Sequence, residues 1–268
     1  MVFTRACQHT KLSDVEFVSG AHHRLGLGPR LDVELPPCSC NGAAPADERN
    51  APDAADAADP AAPDHCMSCK NAARDRLLRH NFATSAWRQS ISASGCSTSM
   101  EPSYRRLAAT AAAAAAAGAR RGDIFAILPD GSVTVLDAVV THPCGRSCVA
   151  LASQRDGHAA AKAAKRKEDS FQSAMGDGAG YTFVPLAMES FGRLGTAAMR
   201  FLGRLGDIAA EEGRVSKAAF VRAAHRRISC AIVRGNARVY GNVAARLVRA
   251  SGHAFLRGSE VVVAENVD

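Results

Sequence analysis

Residues 123–141 read DIFAILPDGSVTVLDAVVT, and this stretch decides the fold. Ile124, Phe125, Ile127 and Leu128 make one apolar run; Val133, Val135, Leu136, Val139 and Val140 make a second. Between them stand Pro129, Asp130 and Gly131, where proline presets φ and glycine tolerates positive φ. The pattern predicts two antiparallel strands joined by a tight turn. Asp123 opens the first strand and Asp137 lies on its partner, with thirteen residues between them. The turn therefore brings both carboxylates to one end of the sheet. Asp137 also interrupts an apolar run, where a charge is costly unless it is paired or metal-bound.

Working outward, a short strand is expected over 96–101, closed by Pro102, with a helix before it from 71 to about 91. Leu77, Leu78, Phe82 and Trp87 are the expected apolar face of that helix. After the hairpin come an Ala- and Lys-rich helix over 158–175 and a strand over 181–188 that ends at Glu189. Helices over 195–210 and 216–249 follow, with breaks expected at Gly213 and around Gly235 and Gly241. A further helix over 12–27 can be capped by Ser13, with Glu16 three residues later. The order implies an α/β layer arrangement with an antiparallel hairpin at its centre. Residues 41–64 hold six acids, one Arg and no large apolar side chain, which predicts a disordered loop. The alanine run over 108–117 permits a helix but reads equally as a low-complexity insertion.

Composition sets the partner class. The chain has 268 residues, enough for one sizeable core and a small module. Alanine supplies much of the apolar content and aromatics only 5%, so a thinly packed core is expected. The net charge is +7, and residues 190–258 carry thirteen Lys and Arg against Asp207, Glu211 and Glu212. That asymmetry points to a polyanion, with solvated helix faces as the plainer alternative. No signal-peptide pattern and no apolar stretch of about 20 residues is present. Nine cysteines, an odd number, suit reduced thiols or metal ligands better than a disulfide framework. The expectation is a protein without a membrane segment, intracellular, and nuclear if DNA is the substrate.

Two constellations carry chemistry. Asp123 and Asp137 could hold Mg²⁺ or Mn²⁺ through oxygen ligands, leaving positions for water and phosphate. The alternative is that Asp123 caps a turn and Asp137 faces solvent. On the following helix Lys162, Lys165, Arg166 and Lys167 supply cations that could orient a nucleophile or offset charge on phosphate. The second constellation is Cys38 and Cys40 followed, after the acidic tract, by His65, Cys66 and Cys69. Cys38, Cys40, His65 and Cys69 suit a tetrahedral Zn²⁺ site, with Cys66 as a substitute for His65. Unrelated free cysteines are the alternative there.

Together these residues resemble the C-terminal region of site-specific non-LTR retrotransposon proteins that carry a restriction-enzyme-like endonuclease. Cys38, Cys40, His65 and Cys69 resemble the family's knuckle, and Arg79, His80 and Asn81 its Arg-His-Asn step. Arg121, Gly122 and Asp123 stand where the family has Arg-Pro-Asp, and Asp137 stands at the second acid. Residues 137–143 (DAVVTHP) look like the strand that carries this acid, 96–102 like the first core strand with Glu101 as its acid, and 183–195 like the segment after the nuclease helix. Residues 14–28 resemble the linker helix before the knuckle. The resemblance covers roughly residues 12–245 and departs in two places. Gly122 replaces proline, and Val139 stands where the wider superfamily often has its lysine.

The resemblance implies a PD-(D/E)XK-like core, in the order helix, three strands, helix, strand, with a zinc knuckle before it and helices after it. It divides the chain into a linker helix (1–30), a knuckle (31–80) with its loop (41–64), a nuclease core (81–210) and a basic helical tail (211–268). It implies a Mg²⁺-dependent endodeoxyribonuclease with Asp123 and Asp137 on the metal, Glu101 as helper, and Lys167 or the nearby Lys165 supporting the attack. The expected partner is DNA, with RNA as an alternative. No Tyr-x-Asp-Asp occurs in the 268 residues, so any reverse transcriptase would be a separate partner. A zinc- and nucleic-acid-binding remnant without catalysis is the competing expectation.

Overall fold

The computed structural model describes residues 65–108, 117–145, 147–175 and 181–250, together with the single positions 12, 13, 16, 21, 110 and 115. The expected helix over 12–27, the acidic loop 41–64, and Cys38 and Cys40 lie wholly or mostly outside the described residues. The protein is α/β, with a four-stranded mixed sheet and six α-helices among the described residues. In chain order these are α1 (Ala73–Ala93), β1 (Ser97–Met100), α2 (Tyr104–Leu107), β2 (Ile124–Ile127), β3 (Val133–Thr141), α3 (Val149–Ala152), α4 (His158–Met175), β4 (Thr182–Glu189), α5 (Thr196–Glu211) and α6 (Lys217–Ala250). No described helix is long and apolar enough to cross a membrane.

The sheet order is β1-β2-β3-β4. β1 with β2 and β2 with β3 run antiparallel, and β3 with β4 runs parallel, joined through α4. The hairpin closes as its sequence predicts. Gly131 N–H donates to Leu128 O at 2.9 Å, Gly131 takes φ +80°, and the Asp130 carboxylate accepts from Ser132 N–H at 2.8 Å. Pro185 sits inside β4, where an edge strand can spare a ladder donor.

Strand alternation divides the core. Ile124, Ala126, Leu136, Ala138, Leu186 and Met188 face a main core built with Trp87 and Ile91 of α1, Leu202 and Leu205 of α5, and Phe220, Ile228 and Ile232 of α6. The opposite face meets α4. There Val135 packs with Tyr104, Phe171 and Met175, while Val139 packs with Ala160, Ala163 and Ala187. The sheet thus lies between two helical layers, and α6 contributes to the main core along with α1 and α5.

Two expectations for the helices are corrected. Leu77, Leu78 and Phe82 are exposed; α1 buries instead a face of Asp75, Arg79, Ala83, Ala86, Trp87 and Ile91. The reason is the crossing with α6. Arg79 donates to Asn236 Oδ1 (3.1 Å) and toward the Met67 sulfur (3.1 Å), and Asp75 accepts from Asn242 (2.8 Å) and Arg246 (2.5 Å). Asn236 in turn donates to Ser190 O at 2.7 Å, tying the crossing to the end of β4. Burial, then the neighbouring Arg76 charge, pulls the Arg79 pKa down to about 10, so it stays a cation at neutral pH. The inward face thus joins Ala83, Ala86, Trp87 and Ile91, packed in the main core, to a polar crossing in which the buried charges are paired.

The second correction concerns α6, which runs unbroken through Gly235 and Gly241. Gly235 lies directly on Arg79, and a Cβ there would stand 2.5 Å from Arg79 Cγ and 2.8 Å from its Cα. Helix-breaking propensity of about 1 kcal/mol is offset by that close approach. Gly241 meets nothing within 4 Å. We predict that Gly235→Ala destabilises the protein by about 3 kcal/mol through overpacking. Gly241→Ala should instead stabilise it by up to about 1 kcal/mol. Urea unfolding of the two variants beside the wild type measures both. Equal effects would show that the helix crossing does not depend on the missing Cβ.

Candidate active site

Spacing along β3 and α4 places one lysine opposite one acid. Val139, Asp137 and Val135 are alternate residues of β3 and share the face toward α4. On α4 the packing partners run the other way, from Ala163 beside Val139 to Phe171 beside Val135. Four helical residues advance about 6 Å and two strand residues about 6.6 Å. The position facing Asp137 is therefore Lys167, four residues before Phe171. Lys167 Nζ donates to Asp137 Oδ1 at 2.8 Å, with both side chains largely buried.

Asp123 enters from the β2 side. Its backbone N–H donates to Leu136 O at 3.0 Å, immediately before the β2 and β3 ladder begins, and its carbonyl accepts from Glu101 N–H at 2.9 Å. Ala138 N–H donates to Asp123 Oδ2 at 2.6 Å, and His80 Nε2 of α1 lies 3.2 Å from Asp123 Oδ1. Thr84 Oγ1, one turn along α1, lies 3.4 Å from the same His80 nitrogen. Asp123, Asp137, Lys167 and His80 thus converge from β2, β3, α4 and α1.

The two carboxylates are electrostatically unequal. Burial pushes the Asp137 pKa up to about 6; the adjacent Lys167 charge opposes the rise and the Asp123 charge adds to it. For Asp123, burial also acts upward, but the hydrogen bond and charge of His80, the Ala138 N–H and the Lys167 charge prevail and hold it below its ordinary value. Two neighbouring carboxylates, one of them forced upward by burial, form an oxygen donor set that fits a hard divalent cation.

The other candidates fall elsewhere. Lys165 points outward to Asp169 (2.5 Å), and Lys162 reaches Ser147 Oγ (3.0 Å). The Glu101 side chain is turned outward into an exposed ion pair with Arg121 at 3.2 Å, and Glu101 takes φ +51°. Its backbone, not its carboxylate, supports Asp123. Gly122 is a point of close approach, because a Cβ there would lie 2.9 Å from Val135 Cγ1 and 3.3 Å from the Tyr104 ring.

Of the expected zinc ligands, His65 is buried at the start of a 3-10 turn (His65–Met67) and Cys69 is buried between it and the next (Lys70–Ala72); Cys66 and Cys69 pack with Val239 and Tyr240 of α6. Arg76 donates to Cys69 O. Cys38 and Cys40 lie outside the described residues. Among the described residues no three histidine, cysteine or acidic side chains gather closely enough to hold a metal by themselves.

Sequence reading missed one neighbour of the acidic pair, Tyr104, and treated His80 only as a motif letter. A Pro-x-Tyr after an expected strand carries no signal of where the ring will lie. Nothing within α1 shows which turn of the helix passes Asp123.

No protein-family model matches the chain, and no curated protein matches it either.

The raised pKa of Asp137 sets a pH test. A carboxyl whose folded pKa lies above its unfolded value opposes folding once ionised, so its contribution is most favourable below about pH 4 and is lost as pH rises through about 6. Asp137→Asn removes that penalty. We predict that the metal-free variant is more stable than wild type near pH 8, by on the order of 2 kcal/mol, and so melts higher, and that the advantage shrinks toward pH 4. Thermal melts across that range decide it. An advantage that grows as pH falls would contradict the assigned direction.

Proposed function

We propose that the protein is a metal-dependent DNA endonuclease with a restriction-enzyme-like core, similar to the nuclease region of site-specific non-LTR retrotransposon proteins. The observation that carries the reading is Lys167 Nζ at 2.8 Å from Asp137, beside Asp123. A carboxylate pair with a lysine suits phosphodiester hydrolysis, and here the lysine comes from the following helix, with Val139 in its place on the strand.

In this reading Asp123 and Asp137 hold Mg²⁺ or Mn²⁺, an ion that makes bound water a better nucleophile and offsets charge on phosphate. Ala138 N–H and His80 orient Asp123. Lys167 shares its ammonium between Asp137 and the incoming phosphate and stabilises the charge that develops there. Arg105 and Arg106, exposed on α2 just after the Ser103 and Arg121 bridge, would supply phosphate contacts.

The basic C-terminal half contributes less than its composition suggests. Arg193, Arg204, Arg214, Lys217 and Arg246 pair with acids, and Arg227 donates to Ser90. The exposed Arg222 and Arg226 lie one turn apart, whereas Arg238 and Arg249 sit well round the helix from them. Zn²⁺ on Cys38, Cys40, His65 and Cys69 would lock the turn before α1 and with it the start of the helix that carries His80. DNA is the proposed partner, and RNA and a separate reverse transcriptase follow the same resemblance.

A second reading, a zinc- and nucleic-acid-binding protein without catalysis, is favoured by Glu101. Its carboxylate is engaged with Arg121, which leaves the pair without a third acid.

Relaxation of supercoiled plasmid by the purified protein in Mg²⁺ or Mn²⁺ tests the proposal. Wild type should nick, Asp123→Ala and Asp137→Ala should not, and Lys167→Ala should slow nicking by about a hundredfold. Lys165→Ala should stay within about twofold, since that side chain is a solvated i,i+4 partner of Asp169. Plasmid binding without nicking by wild type would favour the second reading. For the knuckle, Cys69→Ser should lose bound zinc and melt at lower temperature; an unchanged one-zinc stoichiometry would remove Cys69 from the ligand set.

A further inference from the structure

The Tyr104 hydroxyl is buried and lies close to the Asp137 carboxylate, yet it closes no hydrogen bond of normal geometry within the protein. Its place is defined by three contacts. The ring stands 5.3 Å edge-on from Phe171, one turn beyond Lys167 on α4. It packs with Val135, two residues before Asp137 on the same face of β3. Its Cε1 lies where a Cβ on Gly122 would come within 3.3 Å, immediately before Asp123. Each neighbour is adjacent to a member of the acidic site. The charges of Asp137 and Asp123 accordingly add to burial in raising the phenol pKa, so the group stays a neutral donor across the working range of pH.

A buried, unsatisfied hydroxyl is unfavourable in the free protein, and most such groups find a partner. Here the fold makes room for it. Gly122, where the resembled family has proline, is the residue whose missing side chain admits the ring beside Val135. Lys167 already occupies Asp137 Oδ1, and His80 and Ala138 N–H occupy the two oxygens of Asp123. Three of the four carboxylate oxygens are thus held by other donors, and the phenol faces Asp137 without closing a normal hydrogen bond to it.

We propose that Tyr104 is a preformed hydrogen-bond donor for the oxygen ligand of the acidic site, without a partner until that ligand arrives. The ligand oxygen belongs either to water carried by a divalent cation or to a DNA phosphate. This rests on the reading of Asp123 and Asp137 as a cation and phosphate site. It adds a donor that neither the motif nor the lysine supplies. The phenol accompanies the ligand oxygen as a neutral group, so it adds no charge to a site that already balances two carboxylates against one ammonium.

The test is Tyr104→Phe in the full chain, which keeps the ring and removes only the hydroxyl. Three readouts are taken beside wild type and Asp137→Asn. They are the melting temperature without metal, Mn²⁺ affinity by electron paramagnetic resonance, and affinity for a short DNA duplex in Ca²⁺. Tyr104→Phe should melt at or above the wild-type temperature, because no hydrogen bond is lost in the free protein. It should bind one of the two probes more weakly, by roughly five- to tenfold, the effect of one hydrogen bond. A loss with Mn²⁺ alone identifies cation-bound water as the partner, and a loss only with duplex identifies phosphate. A melting temperature several degrees below wild type would overturn the proposal, since the hydroxyl would then already have a partner. Unchanged affinity for both probes would overturn it too. If Asp137→Asn abolishes Mn²⁺ binding while Tyr104→Phe leaves it and duplex affinity intact, the cation site stands and only the tyrosine role falls. If wild type itself takes up no Mn²⁺ saturably, both fall.

Discussion

Asp137 is a carboxylate on an inner strand, covered by a helix, and its burial is the constraint that the rest of the site answers. Left alone, such a group would be neutral or would unfold its surroundings. The parallel step from β3 to β4 through α4 supplies the answer, because it lays a helix antiparallel across the strand with a matched rise. Lys167 falls opposite Asp137 for the same reason that Phe171 falls opposite Val135. The pair still leaves Asp137 with a raised pKa, and Asp123 beside it raises that value further. In the proposed reading, a cation between the carboxylates would relieve this condition.

The α1 and α6 crossing fixes the site from the other side of the sheet. Arg79 and His80 are consecutive on α1. Arg79 is sealed against Gly235, Asn236 and Met67, and His80 is thereby aimed past the sheet at Asp123. The turn carrying His65, Cys66 and Cys69 packs on α6 just beyond, at Val239 and Tyr240. Zinc on that turn would therefore bear on the same helix pair. Two features separated in sequence, a cysteine-rich turn and a histidine, meet in one helix crossing.

Much of this was legible in the sequence where pattern and period coincide. The hairpin, its turn, α4 and β4 follow from strand alternation, Pro129 to Gly131, and an Ala- and Lys-rich run, and their bounds differ from expectation by a residue or two at most. Asp137 announced itself as a charge in an apolar run. The face of α1 did not, because Leu77, Leu78 and Phe82 outweigh Arg79 in any hydrophobic count while the buried partners of Arg79 are up to 157 residues away. Choosing Lys167 over Lys165 needed the alignment of α4 on β3, since both stand on one lysine-rich helix. Tyr104 and the loss of Glu101 from the site depend on long-range packing around Gly122 and on an ion pair with Arg121, which no local pattern encodes.

The central claim is that the two carboxylates form a divalent-cation site. A crystal structure of the full chain soaked in Mn²⁺, with anomalous diffraction recorded, tests it most directly. The account predicts one anomalous peak within coordination distance of both Asp123 and Asp137, with Lys167 at its edge. No peak at that position in crystals that take up Mn²⁺ elsewhere, with Asp137 bound to Lys167 alone, would contradict it.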